Sequence, residues 1–179
     1  MIPPDRTGYG EIVRASLLAA REFHERLVHW DTAARTNGTE YPWRFVLVSP
    51  QPPDTNIVCF LVQERPVRDL QTTNTINRRI FEAFTIGPRP GAPVYSYLQP
   101  FFVSRTIFKA SHYPSASVAA LLQRAEIKQS EYAQYGLFVL RATVMSPYHV
   151  LAAETGHKQA LLAEFVDCLA AEATATLQT

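Results

Sequence analysis

Apolar residues that recur every three or four positions predict three amphipathic helices, at about residues 9–28, 73–84 and 157–173. In each helix these residues fall on one side, which should pack against another element. Residues 72–74 (Thr-Thr-Asn) are suited to cap the start of the second helix. The predicted buried stripes are Tyr9, Ile12, Val13, Ser16, Ala20, Phe23 and Leu27; Ile76, Ile80, Phe81 and Phe84; and Leu161, Leu162, Phe165, Leu169 and Ala173.

Four shorter runs, at residues 44–48, 57–62, 101–108 and 137–145, are rich in β-branched and aromatic residues and predict strands. The proline-rich residues 50–53 predict a stiff turn between the first two strands. Asp54, Thr55 and Asn56 follow, and such side chains commonly bond to their own backbone in turns. Asn37-Gly38 is a turn signal, and the Pro- and Gly-rich residues 87–93 predict a loop.

The element order α-β-β-α-β-β-α predicts an α+β fold, in which helices pack on a mainly antiparallel, four-stranded sheet. A length of 179 residues suits a single domain over residues 1–179. The segment 110–136 lies between the third and fourth strands, with a short helical pattern at about 117–128 and a polar tail. We expect this segment to be a surface excursion.

The fourth strand has two apolar faces. Phe138, Leu140, Ala142 and Val144 alternate on one face, and the other carries Leu137, Val139, Arg141, Thr143 and Met145. A face open to water normally shows polar residues, so we expect both faces to be covered. The second cover is another domain or a second subunit, or else the segments 30–42 and 110–136 of this chain.

Composition narrows the classes of partner and site. The chain has 17 basic and 16 acidic residues, a net charge of +1 and no basic stripe, which argues against nucleic acid as a partner. We see no signal peptide and no apolar stretch long enough to span a membrane, so a cytoplasmic protein is expected. Cys59 and Cys168 lie in apolar runs and are expected to be buried thiols, with no metal site.

Two arginines in predicted strands are candidates for binding a carboxylate. Arg141 lies within Leu-Phe-Val-Leu-Arg-Ala-Thr, where a guanidinium is destabilising unless a carboxylate or carbonyl groups satisfy it. A structural ion pair, or an arginine that reaches solvent at the sheet edge, would also explain it. Arg105 is a weaker candidate, since it could bind a carboxylate, join an interdomain pair or simply be a charge at the end of a strand.

Four segments, in this order and spacing, resemble the small domain of group II pyridoxal-phosphate-dependent amino-acid decarboxylases. They are residues 52–60 (PPDTNIVCF), 77–81 (NRRIF), 102–106 (FVSRT) and 140–147 (LRATVMSP). The first helix, after Gly8-Tyr9-Gly10, fits as well, and the resemblance spans roughly residues 8–170. Members of this family act on substrates such as glutamate, aromatic amino acids and diaminobutyrate, and the resemblance does not select among them.

The resemblance implies that this chain is the C-terminal small domain of a fold-type I enzyme. A large domain, or a second subunit, would hold pyridoxal 5'-phosphate on a lysine, and Arg141 would contact the carboxylate of the amino-acid substrate. The chain contains only three lysines, and the pair His157-Lys158 is expected to be the first turn of the last helix. No catalytic or cofactor-binding residue is therefore expected in this chain, which should be inactive alone.

A second hypothesis from the same resemblance is a stand-alone, non-catalytic module. Such a module would keep the α+β fold without the enzyme and use its sheet for binding or oligomerisation. The segment 110–136 is longer than we expect in the family. The resemblance therefore does not define the local geometry of the chain just before Arg141.

Overall fold

The computed structural model describes residues 8–36, 40–86, 101–145 and 161–178. The predicted turn at Asn37-Gly38, the loop 87–93 and the pair His157-Lys158 lie outside the described residues. The predicted α+β architecture is confirmed, with two short helices added between the third and fourth strands. The elements are α1 (Tyr9–Thr36), β1 (Trp43–Leu47), β2 (Ile57–Glu64), α2 (Leu70–Phe84), β3 (Ser104–Phe108), α3 (Ser115–Arg124), α4 (Gln129–Tyr135), β4 (Leu137–Thr143) and α5 (Leu161–Gln178).

The four strands form one antiparallel sheet in the order β1-β2-β4-β3, so β2 and β4 are central. Several strand boundaries were predicted wrongly: β1 starts and ends one residue earlier than predicted, and β2 continues to Glu64 rather than ending at residue 62. The third strand begins at Ser104 rather than at residue 101, because pairing with β4 starts where Ser104 faces Arg141. The fourth ends at Thr143 rather than at 145, because its pairing with β2 ends there, opposite Ile57.

The first helix is longer than predicted, and its first two turns are more exposed. Between residue 28 and Thr36 the sequence offers no breaker, so the helix continues. Tyr9 and Val13 belong to the predicted buried stripe, yet 62% and 46% of their surface is exposed. The fully buried positions begin at Ala15, and further along Phe23 stacks on Phe165 of α5 with ring centroids 5.0 Å apart.

One face of the sheet, here called the first face, is covered by α1, α2 and α5. Its core is aromatic: Phe60 of β2 meets the edges of Phe23 and Phe45 at centroid distances of 5.9 and 6.0 Å. Burying one such ring stabilises the fold by roughly 1.5–3 kcal/mol, so this layer is a major source of stability. The strand residues of this face include Trp43, Phe45, Val58, Phe60, Val62, Phe138, Leu140 and Ala142.

Helix α2 begins earlier than predicted. Its N-cap is Asp69, whose carboxylate accepts a hydrogen bond from Thr72 N at 2.7 Å. The prediction that residues 72–74 cap this helix is therefore wrong. Asn74 lies one turn inside the helix and is not its cap, because the Asp69 side chain accepts from Thr72 N in the first turn.

The side chains of two asparagines in α2 take the place of hydrogen bonds between β2 and β4. The two strands pair only as far as Phe60 and Leu140. Beyond that point Asn77 accepts from Val62 N and donates to Val62 O, both at 2.8 Å. Asn74 accepts from Phe138 N at 2.8 Å and donates to Gly136 O at 2.9 Å. Helix α2 thus supplies the partners that the diverging strands lack.

The segment 110–136, expected as a surface excursion, covers part of the other face of the sheet, here called the second face. It forms two helices rather than the predicted single one at 117–128, because Glu126 adopts a positive φ of 55° and ends the first. Tyr132 is fully buried, and its hydroxyl donates to Tyr113 O at 2.6 Å. The residues packed in this layer are Val46, Leu61, Leu70, Val118, Leu121, Leu122, Ala125, Ile127, Tyr132, Leu137 and Val139.

We predict that Asn77→Ala lowers the free energy of unfolding by about 2–4 kcal/mol, because Val62 N–H and C=O would both remain buried without a partner. Urea unfolding of the purified chain, followed by circular dichroism, measures the change. Gln71→Ala, at an exposed position of the same helix, is the control and should change stability by less than about 0.5 kcal/mol. Equal urea midpoints for the two variants would contradict this role of Asn77.

Candidate functional site

Among the described residues, helices α3 and α4 do not extend over one end of the second face. They pack over Val139 and its neighbours, and Cys59 lies at the border of this layer, whereas Ile57 and Thr143, where β2 begins and β4 finishes, are not part of it. There Ile57 is 36% exposed, and Met145, just after β4, is 62% exposed. We call this part of the second face the Arg141 surface. Its residues, assigned to the second face by the strand register, are Ile57, Cys59, Ser104, Arg141 and Thr143.

Arg141 lies at the centre of this surface because β4 is a central strand. Cys59 of β2 is its direct neighbour on one side, and Ser104 of β3 is its direct neighbour on the other. Residues directly opposite in antiparallel strands have side chains within contact distance. The guanidinium is therefore framed by a thiol and a hydroxyl, neither of which carries a negative charge.

The half-buried Arg141 side chain is held by one hydrogen bond, from its Nε to Ser104 Oγ at 2.8 Å. The hydroxyl of Ser104 in turn donates to Arg141 O at 3.0 Å. Within the described ranges, no carboxylate forms an ion pair with Arg141. A structural ion pair was one of the explanations that the sequence left open for Arg141. Those residues provide no acidic partner for it.

Cys59 does not neutralise this cation. Burial raises the pKa of the Cys59 thiol above its ordinary value, and the opposing effect of the Arg141 charge is smaller. The thiol therefore stays protonated at neutral pH. Neither of these two neighbours therefore neutralises the positive charge of Arg141, which can attract an anion.

Arg105 lies on the first face of the sheet, opposite to Arg141. It pairs with Leu140, it is exposed, and its guanidinium lies 5.4 Å from the ring centroid of Phe81 and 5.6 Å from that of Phe138. The cation–π contacts give this charge a local structural role. The sequence predicted both arginines as candidates, and the structure does not bring them together.

The residues described do not fit a site that anchors pyridoxal phosphate covalently. Lys109 and Lys128 are both exposed, at the end of β3 and before α4, whereas an imine-forming lysine needs a sheltered pocket. Lys158 lies outside the described residues. Over the same parts of the chain, no group of three His, Cys, Asp or Glu side chains could hold a metal ion, and no helix is long and apolar enough to cross a membrane.

Two grooves lie away from the Arg141 surface. One of about 750 Å³ is bordered by α2, α4 and the end of α5, and includes Arg68, Arg79 and Glu131. The other, of about 400 Å³, lies between α1 and α5 beside Trp30. Neither groove includes Arg141 or Arg105.

The sequence did not indicate that Ser104 and Cys59 are neighbours of Arg141. Ser104 is 37 residues away from Arg141 along the chain, and Cys59 appeared only as a buried thiol in an apolar run. Both contacts arise from strand pairing between distant segments. The alternation of each strand was visible in the sequence, but the register between strands was not.

Comparison with known proteins gives two consistent matches. The family described as "Tyrosine decarboxylase, C-terminal" matches residues 20–161 of this chain, which include all four strands and Arg141. An L-tyrosine decarboxylase from Enterococcus faecium is 26% identical over 150 residues, a stretch that covers 83% of this chain and 22% of that enzyme. The chain thus spans about a fifth of the length of this relative.

We predict that the pH dependence of Cys59 reactivity responds to Arg141. In a Cys168→Ala background, Cys59 should react with a small disulfide reagent at a rate that rises at higher pH than for a free thiol, because burial raises its pKa. Arg141→Ala removes the charge that lowers this pKa, so the rate profile should move to still higher pH.

Cys168 is the control, measured in a Cys59→Ala background. Burial, followed by the charges of Glu164 and Asp167, raises its pKa, and Arg141 is not among the causes. Its rate profile should stay in place when Arg141 is replaced. A Cys59 profile that stays in place, or moves to lower pH, would contradict the predicted proximity of thiol and guanidinium.

Proposed function

Because the chain belongs to the family of tyrosine decarboxylase C-terminal domains, we propose that it is the small domain of a pyridoxal-phosphate-dependent amino-acid decarboxylase. In the complete enzyme this domain packs on the cofactor-bearing domain, which is joined to it or contributed by a second subunit. Arg141 there binds the carboxylate of the substrate. The domain by itself has no catalytic activity.

The observation that carries this proposal is a half-buried cation with uncharged neighbours on the Arg141 surface. A guanidinium that is partly withdrawn from water gains most from a carboxylate, which it can bind with two parallel hydrogen bonds. Since Ser104 and protonated Cys59 supply no charge, an incoming substrate carboxylate would meet no competing anion among the described residues.

Arg141 is suited to bind and orient the substrate. Pyridoxal phosphate supplies the electron sink for loss of carbon dioxide, and the protein supplies orientation and electrostatics. The substrate carboxylate loses its charge as carbon dioxide leaves, so the attraction to Arg141 is strongest before the reaction. We therefore expect this arginine to contribute mainly to substrate affinity, and thus to KM.

The cofactor itself belongs outside this chain. The exposed positions of Lys109 and Lys128 support that assignment, since neither is enclosed by groups that would hold a phosphate. The other partner surface is the apolar end of the domain. Tyr9 and Val13 of α1, Ile57 of β2 and Met145 after β4 are all exposed, and Ser16 Oγ donates to Met145 O at 3.3 Å, which joins α1 to the end of β4.

Of these, Ile57 and Met145 lie close to Arg141 along the paired strands, and exposed apolar side chains beside a binding cation suit an interface that closes over a substrate. We therefore assign this end of the domain to the contact with the cofactor-bearing domain. L-tyrosine is the substrate to test first, because the relative from Enterococcus faecium is an L-tyrosine decarboxylase.

We predict that Arg141→Ala raises KM for L-tyrosine in the complete enzyme by at least about tenfold, as expected for the loss of a hydrogen-bonded charge pair. Cys59→Asp should have a similar effect, because a resident carboxylate opposite Arg141 would pair with it. Cys59→Asn, which has nearly the same size without the charge, is the matched control and should change KM by less than about threefold. Steady-state kinetics measure all three.

The aspartate variant makes this test sensitive to charge rather than to packing. Equal KM values for Cys59→Asp and Cys59→Asn would show that the substrate does not use the guanidinium. An unchanged KM for Arg141→Ala would refute the carboxylate role directly.

We further predict that the isolated chain forms no stoichiometric lysine adduct with pyridoxal phosphate. The chain is incubated with the cofactor, reduced with borohydride and analysed by mass spectrometry, with the complete enzyme as the positive control. Substoichiometric labelling spread over exposed lysines is the expected result. A single adduct in one-to-one amount, together with decarboxylation, would overturn the assignment of the cofactor to another domain.

A further inference from the structure

Ser104 and Arg141 form a closed pair of hydrogen bonds across β3 and β4. Arg141 Nε donates to Ser104 Oγ at 2.8 Å, and that hydroxyl donates to Arg141 O at 3.0 Å. The hydroxyl proton is therefore already committed to a backbone carbonyl, which leaves the oxygen lone pairs to receive the guanidinium. Ser104 and Arg141 face each other on neighbouring strands, and both side chains lie on the second face of the sheet. Strand pairing therefore fixes the geometry of the two hydrogen bonds.

The hydrogen bond to Ser104 limits which nitrogen atoms of the Arg141 guanidinium can bind a carboxylate. A guanidinium binds a carboxylate with two parallel hydrogen bonds, either through Nε and one Nη or through both Nη atoms. The first mode needs the Nε–H, which here points to Ser104. The Nη1/Nη2 pair is the part of the fork without a hydrogen-bond partner among the described residues.

We propose that Ser104 is a positioning residue, which orients Arg141 so that its Nη1/Nη2 pair receives the substrate carboxylate. The inference rests on the proposed function, because it specifies how that arginine acts. A long side chain that is held in one geometry before the substrate arrives loses less freedom on binding. Ser104 thus raises the affinity for the carboxylate without touching the substrate.

The first experiment compares Ser104→Ala, Ser104→Thr and Thr106→Ala in the complete enzyme. Threonine keeps the hydroxyl, and Thr106 is a matched control on the same face of β3, opposite Val139. Steady-state kinetics give KM and kcat for L-tyrosine. Inhibition is measured with 3-(4-hydroxyphenyl)propionate, which has the carboxylate but no amine, and with tyramine, which has the amine but no carboxylate.

We predict that Ser104→Ala weakens binding of L-tyrosine and of the propionate by about 3- to 10-fold, the loss that follows from one orienting hydrogen bond. The inhibition constant for tyramine and kcat should change by less than about twofold, because neither depends on carboxylate binding. Ser104→Thr should restore the wild-type values, and Thr106→Ala should keep them. A general structural defect would weaken tyramine binding as well.

The second experiment observes the contact directly in the 179-residue chain. The ¹⁵N-labelled protein should show an Arg141 Nε–H resonance that exchanges slowly with water, assigned by its disappearance in Arg141→Lys. The slow exchange should persist in Ser104→Thr and be lost in Ser104→Ala. The backbone spectrum of each variant shows that it has folded.

The outcomes separate this inference from the proposed function. If Arg141→Ala raises KM while Ser104→Ala leaves both KM and the Nε–H exchange unchanged, the positioning role is overturned and the carboxylate role stands. If Arg141→Ala leaves KM unchanged, the proposed function fails, and the inference fails with it. Equal losses for the propionate and tyramine in Ser104→Ala would also overturn the positioning role.

Discussion

Past Phe60 and Leu140, β2 and β4 no longer hydrogen-bond to each other, and their buried backbone groups bond to asparagine side chains of α2 instead. A buried N–H or C=O without a partner is strongly destabilising, so α2 cannot shift along the sheet or rotate without breaking these bonds. This constraint fixes the helix to both central strands. Helix α5 then packs on α2 and α1, which completes the cover of the first face.

The described residues cover the second face only in part, and the candidate site lies where the cover by α3 and α4 ends. Helices α3 and α4 are held at one end by Arg44, which bonds to Gln63 and Glu126, and by Gln63, which donates to Ala125 O. Their cover stops short of Arg141. Among the described residues, one end of the second face is thus closely packed, and the other carries the half-buried Arg141 together with the exposed side chains of Ile57 and Met145.

The chemistry of the Arg141 surface comes from what surrounds the cation. Ser104 accepts a hydrogen bond from it, Cys59 is kept neutral by burial, and no described carboxylate neutralises it. A half-buried cation gains stability when an anion pairs with it, and the described residues supply none. The proposed role of Arg141 in binding a carboxylate rests on this lack of a resident anion and on membership of the family of tyrosine decarboxylase C-terminal domains.

The sequence by itself determined the kinds and order of the main elements, since the spacing of apolar residues reflects local backbone geometry. It also identified the family through four ordered segments, and it singled out Arg141 as a cation in an apolar strand. Only the tertiary structure decided that Ser104 and Cys59 flank Arg141, that Arg105 lies on the opposite face, and that asparagines of α2 complete the sheet. These features depend on strand register and helix docking, which are set by contacts between residues far apart in the chain and leave no local periodicity in the sequence.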